Sequence, residues 1–528
     1  LKSAWLKKSI ADADTEFHII MVVLASVYFS FFFIALGGLL FGYIIGINSD
    51  IVTKGQLICP DGWSGEVGTM TSSGYGQCYD LDIWGQGILS AMNLVGATLS
   101  SMFCFRYADF LGRKRQAQIG AFLYFVGSTW AAISPQLWGI YVGFLIYGLG
   151  IGFAMTAAPM YIAEMAPKDI RGMLVSAKEA MIVLGIFVGF AVGAICYRVE
   201  QDGWRAMMGV AASFALIMEV GLLFLHRSPR WLVFRAVSQG RLLGPDQSMI
   251  DEARAALCFF RGSSCTEEVE AELKEIQDEV ALTDSEAEPG CCETFNYPRP
   301  LIIGCGLVFL QQVTGQPSVL YFATNILKDA GLSSSAAFSS VLVGFVKLVA
   351  TLFTVWRVDQ FGRRQLLLWG ILLMILALVV LTVAFGFQRC NALGVALSDC
   401  PEEDVGLPKP WACATVAALM VYVSGYQIGF GPISWLMISE VFPLRVRGAA
   451  LSTAAMVNFG TNILMTLCQA ALIHALTPAG TFGLYLALSL FSVLFVLYTV
   501  PETRGRSLED IEREMTGNAQ QPGSIKES

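Results

Sequence analysis

The sequence predicts an all-α membrane protein with twelve transmembrane helices in two six-helix halves, and with cytoplasmic helices between the halves. Of its 528 residues, 55% are hydrophobic and only 14% are charged, whereas soluble domains carry about 25% charged residues. Several apolar runs reach the ~20 residues that a helix needs to cross a bilayer. A charged motif also occurs twice, since residues 109–115 (DFLGRKR) match residues 359–365 (DQFGRRQ). The repeat indicates a duplicated bundle.

The apolar runs give six candidate spans in each half. Because lipid offers no water to backbone N–H and C=O groups, each run must form a helix. The N-terminal half, residues 1–226, has runs at 19–46, 84–104, 117–134, 138–163, 173–197 and 205–225. The C-terminal half, residues 299–500, has runs at 300–327, 336–356, 366–387, 411–438, 449–475 and 481–500. A linker at 227–298 and a tail at 501–528 complete the chain.

The distribution of Lys and Arg predicts the orientation in the membrane. Cytoplasmic loops are rich in these residues. Among the short loops between spans, those after spans two, four, eight and ten contain most of the Lys and Arg residues. Both termini and the linker are therefore predicted to be cytoplasmic. Within the linker, the helical spacing of Ile250, Ala253 and Leu257 predicts amphipathic helices over 249–281, followed by an acidic stretch at 283–290.

The remaining composition excludes several functions. A net charge of -8 does not favour nucleic acid as a partner, and the three His form no cluster that could hold a metal. No nucleotide-binding loop or nucleophile triad stands out, so we predict neither a cofactor nor an enzyme activity. Two cysteine pairs lie in polar loops, Cys59 with Cys78 and Cys390 with Cys400. Each forms a disulfide only if its loop faces an oxidising compartment.

Acidic residues accompany the repeated basic motif. Glu164 lies seven residues before Arg171, and Glu440 lies seven before Arg447. Carboxylates and guanidinium groups at helix ends can form charge-assisted hydrogen bonds. We predict that such bonds hold the two halves together on the cytoplasmic side and break when that side opens; the alternative is that the cations only set the topology. The residues of this predicted gate are Asp109, Arg113, Glu164, Arg171, Asp359, Arg363, Glu440 and Arg447.

Polar side chains inside the apolar spans are candidates for a binding site, because burying them is costly unless they serve a purpose. Amides donate and accept hydrogen bonds as sugar hydroxyls do, so these residues suit a neutral polyhydroxylated ligand. Each amide taken singly could instead bridge two helices. Helix breaks near 315–317 and 429–432 fit a site at the membrane midplane. The candidates are Gln311, Gln312, Gln316, Tyr321, Gln427, Trp435, Asn458 and Asn462.

With these motifs the chain resembles the sugar porter family of the major facilitator superfamily over nearly its whole length. The matching segments are 37–43 (GGLLFGY), 159–164 (PMYIAE), 203–205 (GWR), 311–315 (QQVTG), 431–435 (GPISW) and 501–505 (PETRG). Residues 314–321 and 429–437 look most like the vacuolar and plastid glucose transporter branch of plants and algae. The resemblance implies that hexose is contacted by Gln311, Gln312, Trp435, Asn458 and Asn462.

The chain also departs from the family pattern. Proton-coupled members carry an Asp where this chain has Ile44, and an Arg that pairs with it where this chain has Phe144. The fifth-helix Gln that contacts sugar is replaced by Glu179. Glu502 keeps the acidic gate position of the C-terminal half, whereas Arg227 stands at the corresponding position of the N-terminal half. The resemblance therefore implies a carrier that lacks the usual proton site.

We predict a facilitative hexose uniporter that works by alternating access, as a monomer in the lipid bilayer. A glucose-like monosaccharide would bind between the halves, with Glu179 contributed by the N-terminal half. In a first alternative Glu179 takes up a proton, because desolvation disfavours a charged carboxylate, and drives symport. Pairing with Lys178 or Lys347 would instead keep it from titrating usefully. A non-transporting sugar sensor is a further alternative. The plasma membrane, the vacuole and the plastid envelope all remain open as locations.

Overall fold

The computed structural model describes residues 2–53, 56–59, 78–167, 170–196, 203–239, 246–261, 267–284, 295–329, 336–387, 389–390, 405–442 and 447–503. Within these ranges, nine helices are long and apolar enough to cross a membrane. Three further predicted spans, 117–134, 300–327 and 449–475, are also helical, the second of them in three pieces. The predicted all-α membrane fold with twelve spans is confirmed.

The N-terminal half consists of six helices that pack through small residues. Gly42 in the first lies so close to the fifth that an added Cβ would be 1.8 Å from the carbonyl oxygen of Ile182. Gly148 in the fourth meets the carbonyl of Asn93 in the second in the same way, at 2.1 Å. Small residues let helix backbones approach closely in membranes. The helices are α1 (Lys2–Ile51), α2 (Ile83–Leu111), α3 (Arg113–Ile133), α4 (Leu137–Met165), α5 (Arg171–Cys196) and α6 (Gly203–Leu223).

The linker forms three helices with their own small core, which confirms the amphipathic helices predicted over 249–281. They are α7 (Pro229–Gln239), α8 (Gln247–Arg261) and α9 (Glu267–Asp284). Trp231, Leu257 and Leu273 are buried together between them, and α7 and α8 also contact α4 and α1. We call this side of the bundle the linker end. The predicted acidic stretch lies outside the described residues from position 285 onward.

The C-terminal half contains the two predicted helix breaks, both of which are confirmed. Residues 314–315 separate the first two of its helices, and Gly429 separates two others. Further breaks lie at Phe322 and at Thr477, whose φ is 62°, directly before Pro478. The helices are α10 (Pro298–Val313), α11 (Gln316–Tyr321), α12 (Ala323–Asp329), α13 (Ala336–Phe361), α14 (Arg363–Gly386), α15 (Lys409–Ile428), α16 (Phe430–Val441) and α17 (Arg447–Thr499).

The opposite side of the bundle is marked by a disulfide between Cys59 and Cys78, just beyond α1. We call it the disulfide end. This bond confirms the first of the two cysteine pairs suggested by the sequence. The second pair lies outside the described residues, because Cys400 does. Two short strands, β1 (Arg389–Cys390) and β2 (Val405–Gly406), pair antiparallel between α14 and α15, with Arg389 opposite Gly406.

Candidate binding site and gates

The break between α10 and α11 is fixed by aromatic residues of neighbouring helices. Gly315 adopts a left-handed conformation with φ at 102°, which residues with a Cβ rarely adopt. The Tyr422 hydroxyl of α15 donates to the Thr314 carbonyl at 3.0 Å. The Tyr485 hydroxyl of α17 lies 2.8 Å from Ser318 Oγ of α11. The first of these contacts satisfies a backbone carbonyl that the break frees, and the second ties α11 to α17.

Gly315→Ala is expected to lower the melting temperature and reduce transport. The left-handed conformation costs a non-glycine residue about 1–2 kcal/mol, and the new Cβ would lie 2.5 Å from Cδ2 of Tyr485. Gly209→Ala in α6 is the matched control, because nothing lies within 4 Å of a Cβ added there. Thermal unfolding of both variants in detergent tests this. Equal melting temperatures would show that the break tolerates a side chain.

Gln311 connects three helices beside these breaks. Its Nε2 donates to the carbonyl oxygens of Phe430 at 2.9 Å and Gly431 at 3.4 Å, at the start of α16. Its Oε1 accepts a hydrogen bond from Asn458 Nδ2 of α17 at 3.3 Å. On the same side, a Cβ added at Gly431 would lie 2.8 Å from Gln427 Nε2. The amides predicted from the sequence at 311, 427 and 458 therefore lie together.

Several buried polar atoms near these breaks make no hydrogen bond within the described part of the chain. They belong to α10, α11, α15 and α16 of the C-terminal half. Buried polar groups are normally satisfied, and exceptions need an explanation. An amide oxygen, an amide nitrogen and two hydroxyls together can bind the hydroxyls of a polar, uncharged ligand. The atoms are Gln312 Oε1, Tyr321 Oη, Gln427 Nε2 and Ser434 Oγ.

Asn462, Trp435 and Gln316, the other predicted binding residues, differ in burial and in the groups they contact. Asn462 is buried and accepts a hydrogen bond from Thr466 Oγ1 at 3.3 Å. Trp435 is half-buried and packs against a small cluster of buried apolar residues that includes Val308. Gln316 is half-buried at the first position of α11. Ser434, directly before Trp435, was not among the predicted residues, because a single serine in an apolar run gives no signal.

Opposite charges from the two halves face each other between α5 and α13. Glu179 lies on α5 and Lys347 on α13, and these helices pack together. Lys347 Nζ lies 4.8 Å from the ring centroid of Tyr426, a favourable position for a cation. Lys178 and Lys347 are the cations in electrostatic range of Glu179, but neither is within 4 Å of its carboxylate among the described ion pairs. The sequence therefore named the right neighbours, but not a closed ion pair.

Ile44 and Phe144 are both fully buried in the apolar core of the N-terminal half. The Tyr147 hydroxyl donates to the carbonyl of Leu40 at 2.7 Å. Leu40 lies one turn before Ile44, and Tyr147 lies one turn after Phe144, so this bond places the two positions on neighbouring turns of α1 and α4. Two apolar side chains there can neither bind a proton nor form an ion pair.

Hydrogen bonds between the halves close the bundle at the disulfide end. Thr324 Oγ1 of α12 donates to Asp50 Oδ1 of α1 at 2.8 Å. The Thr324 amide donates to Ser49 Oγ at 2.9 Å, and Thr53 Oγ1 donates to Asn325 Oδ1 at 3.1 Å. The sequence did not predict this site. The first span was predicted to end at residue 46, whereas α1 continues to Ile51 and includes the polar residues 48–50.

The described ion pairs at the linker end join residues of the same half or of the linker. Arg113 Nε of α3 contacts Glu164 Oε1 of α4 at 3.0 Å, and the second oxygen of Glu164 accepts from the Ser228 hydroxyl. Arg227 bonds to Glu252 of α8 at 3.3 Å. Arg113 and Glu164 therefore pair at the ends of adjacent helices in one half in this conformation, and the contact between the two halves stays a prediction.

The C-terminal half repeats this arrangement and adds an acid. Arg363 NH2 contacts Glu440 Oε1 at 3.1 Å, and Glu502 Oε1 accepts from the Arg363 backbone N–H at 3.0 Å. Gly112 and Gly362, with φ of 79° and 86°, form equivalent turns before α3 and α14. The duplicated motif thus forms the same glycine turn and the same Arg–Glu contact in both halves. We call these two sites the corners at Arg113 and Arg363. The other predicted gate residues have side chains outside the described part: Asp109, Arg171, Asp359 and Arg447.

Comparison with known proteins assigns this architecture to a family. Residues 30–515 match the profile of the family described as "Sugar (and other) transporter". The chain is 41% identical to "D-xylose-proton symporter-like 3, chloroplastic" of Arabidopsis thaliana, over 92% of this chain and 82% of that protein. It is 32% identical to the "D-xylose transporter" of Levilactobacillus brevis, over 92% and 94% of the two chains.

Further similarities agree with this assignment. The chain is 30% identical to the "Glucose transporter GlcP" of Staphylococcus epidermidis, over 93% of this chain and 99% of that protein. Among solved structures, the inward-open xylose transporter XylE of E. coli superposes with a TM-score of 0.71. That alignment covers 92% of this chain and 99% of XylE at 24% identity. A likeness at this identity supports the fold.

Proposed function

This chain belongs to the sugar transporter family of the major facilitator superfamily, and we propose that it carries a glucose-like hexose as a facilitative uniporter working by alternating access. It is a multi-pass membrane carrier of sugar and not an enzyme. The observation that carries the proposal is the group of unsatisfied polar atoms on Gln312, Tyr321, Gln427 and Ser434. Hydroxyls of one sugar supply both donors and acceptors for such a group.

The site takes a neutral sugar between the halves. Gln311, Gln312, Asn458 and Asn462 contribute amides from the C-terminal half, and Trp435 contributes an aromatic face. Glu179 contributes from α5 across the interface. Gln316 and Tyr321 lie on the segment after the break, which can adjust as the halves rock. Glucose, xylose and inositol differ mainly in the hydroxyls or carbons at one end of the ring, so a set of amides can accept more than one of them.

Uncoupled transport is supported by Ile44 and Phe144. Both are buried and apolar, so the proton site that the family uses in its first helix is replaced. Symport through Glu179 is the second candidate. It is favoured by the position of Glu179 between the halves, and by relatives named as xylose-proton symporter-like proteins. Burial of that carboxylate disfavours its charged form and also favours this candidate, whereas the attraction of Lys178 and Lys347 opposes proton uptake.

In the proposed transport cycle, this conformation is the state in which the disulfide end is closed. The bonds of Ser49 and Asp50 to Thr324 join the halves there, whereas the linker-end ion pairs stay within their own halves. We place the linker and both termini in the cytoplasm, following the distribution of Lys and Arg, so this conformation faces inward. On switching, the corners at Arg113 and Arg363 would approach each other and act as the cytoplasmic gate. The carrier works as a monomer, and the plastid envelope is one candidate membrane, since one relative is named chloroplastic.

Sugar uptake into liposomes containing the purified full chain tests the function. We expect labelled glucose to equilibrate across the membrane without accumulating, whether or not a pH gradient is imposed. Competition by galactose, fructose, xylose and inositol then gives the specificity. Accumulation above equilibrium that disappears in Glu179→Gln would instead establish symport. Binding of glucose without any exchange would favour a sensor.

A further inference from the structure

Asp50 is a fully buried carboxylate at the contact between the two halves. It lies at the disulfide end of α1 and has no exposed surface. Its Oδ1 accepts a hydrogen bond from Thr324 Oγ1 of α12 in the opposite half, at 2.8 Å. Its Oδ2 has no hydrogen-bond partner within the described part of the chain. That oxygen lies against α5, where a Cβ added at Gly193 would be 1.9 Å away.

The surroundings of Asp50 compensate a negative charge poorly. Among the described residues, the titratable groups that face it are Lys328 of α12 and the Cys196 thiol of α5. Lys328 attracts the carboxylate, but the buried Oδ2 atom itself accepts no hydrogen bond within the described part of the chain. An isolated ionised carboxylate in such surroundings is costly, and the neutral acid avoids that cost. The closed gate therefore favours the protonated form of Asp50.

The hydroxyl groups around Asp50 come from both halves, so they surround its carboxylate only while the disulfide end is closed. Ser49 Oγ donates to Thr324 Oγ1 at 3.1 Å, and Ser340 Oγ of α13 lies 3.0 Å from the same oxygen. This group of side chains spans both halves. Opening the disulfide end must separate α1 from α12, which removes Asp50 from Thr324 and exposes its carboxylate to water. Hydration then stabilises the charged form.

We propose that Asp50 is a proton-binding site that latches the disulfide end, so that acidity on that side slows opening of the gate. The inference rests on the proposed alternating-access function but adds a regulator to it. In the closed state Asp50 carries one proton as a neutral carboxylic acid. Opening releases that proton to the water at the disulfide end, and closing takes one up from the same water. No proton crosses the membrane, so the carrier remains a uniporter whose rate depends on pH.

The test varies the pH at the disulfide end of liposomes while the pH of the other compartment is clamped. In the full-length protein, net glucose transport is expected to fall as that side is acidified. The fall approaches tenfold per pH unit between the pH at which Asp50 ionises in the open gate and the higher pH at which it ionises in the closed gate. Asp50→Asn keeps the size and the hydrogen bond to Thr324 but cannot ionise. It should transport slowly at every pH. An Asp50→Asn protein that keeps the pH dependence of the unmodified protein would refute the inference.

A second measurement covers the case in which Asp50→Asn does not transport. Amide hydrogen exchange of residues 44–53, corrected for the intrinsic rate, should slow on acidification in the unmodified protein and be independent of pH in Asp50→Asn. The same pH response in both proteins overturns the latch. Absence of glucose transport in the unmodified protein at every pH would instead refute the proposed function, so the two failures are distinct.

Discussion

Lys347→Glu is expected to reduce sugar transport by about 100-fold, which corresponds to about 2.7 kcal/mol. Lys347 is 2% exposed and faces Glu179 from the opposite half. The substitution places two carboxylates in this confined space and removes the cation from the face of Tyr426, 4.8 Å from its ring centroid. Like charges in a partly desolvated interface cost several kcal/mol. Their repulsion would separate α5 from α13 when the halves must close around the sugar.

A double variant with the two charges exchanged distinguishes charge repulsion between α5 and α13 from a loss of folding. Glu179→Lys combined with Lys347→Glu restores opposite charges and should recover part of the transport lost in the single variant. Lys274→Glu on α9 makes the same charge change at an exposed site, and should transport like the unmodified protein. Initial rates in liposomes, normalised to folded protein, give the comparison. If the double variant is no better than Lys347→Glu alone, the two charges do not act on each other.

Gln311→Leu is expected to raise the half-saturating glucose concentration by roughly 10- to 100-fold, equal to about 1.4–2.7 kcal/mol. The substitution leaves the carbonyls of Phe430 and Gly431, and the amide of Asn458, without the bonds they now make. A buried group that loses its partner costs about 1–3 kcal/mol. The start of α16 would also lose its connection to α10, which disturbs Gln427 beside it.

A second amide supplies the control for Gln311. Gln116 of α3 is equally buried and donates to Thr156 Oγ1 at 2.9 Å within the N-terminal half. Gln116→Leu should lower the melting temperature by an amount similar to Gln311→Leu, but leave the half-saturating concentration within about twofold. Concentration dependence of counterflow measures this. A similar rise in both variants would mean that Gln311 acts through stability and not through the sugar.

Local sequence features predicted the helix breaks and the membrane spans well. Gly315 and Pro317 interrupt one apolar run, and Gly429 interrupts another before α16. The breaks occur there because glycine frees the backbone and proline restricts it. The linker helices followed from apolar spacing, and the Cys59–Cys78 bond from two cysteines bracketing one polar loop. These features depend on neighbours in the sequence, which is why the chain alone reveals them.

Contacts between distant segments were predicted less well. The described ion pairs of Arg113 and Arg363 lie within their own halves in this conformation. The predicted gate between the halves belongs to another conformational state of the carrier, which charges and their spacing do not specify. Asp50 was missed because three consecutive polar residues at the end of a span, 48–50, look like a loop. Its partner Thr324 is 274 residues away, and no local pattern connects the two.

The sequence by itself determined the duplicated twelve-span bundle, the candidate amides and the apolar side chains at Ile44 and Phe144. These properties follow from the length of apolar runs and from the chemistry of single residues. Only the tertiary structure decided which polar atoms lack partners, that Glu179 faces Lys347 without pairing, and that Asp50 closes the disulfide end. Those properties depend on how two separately folded halves meet, since burial and hydrogen bonding of a side chain are set by the helix opposite to it.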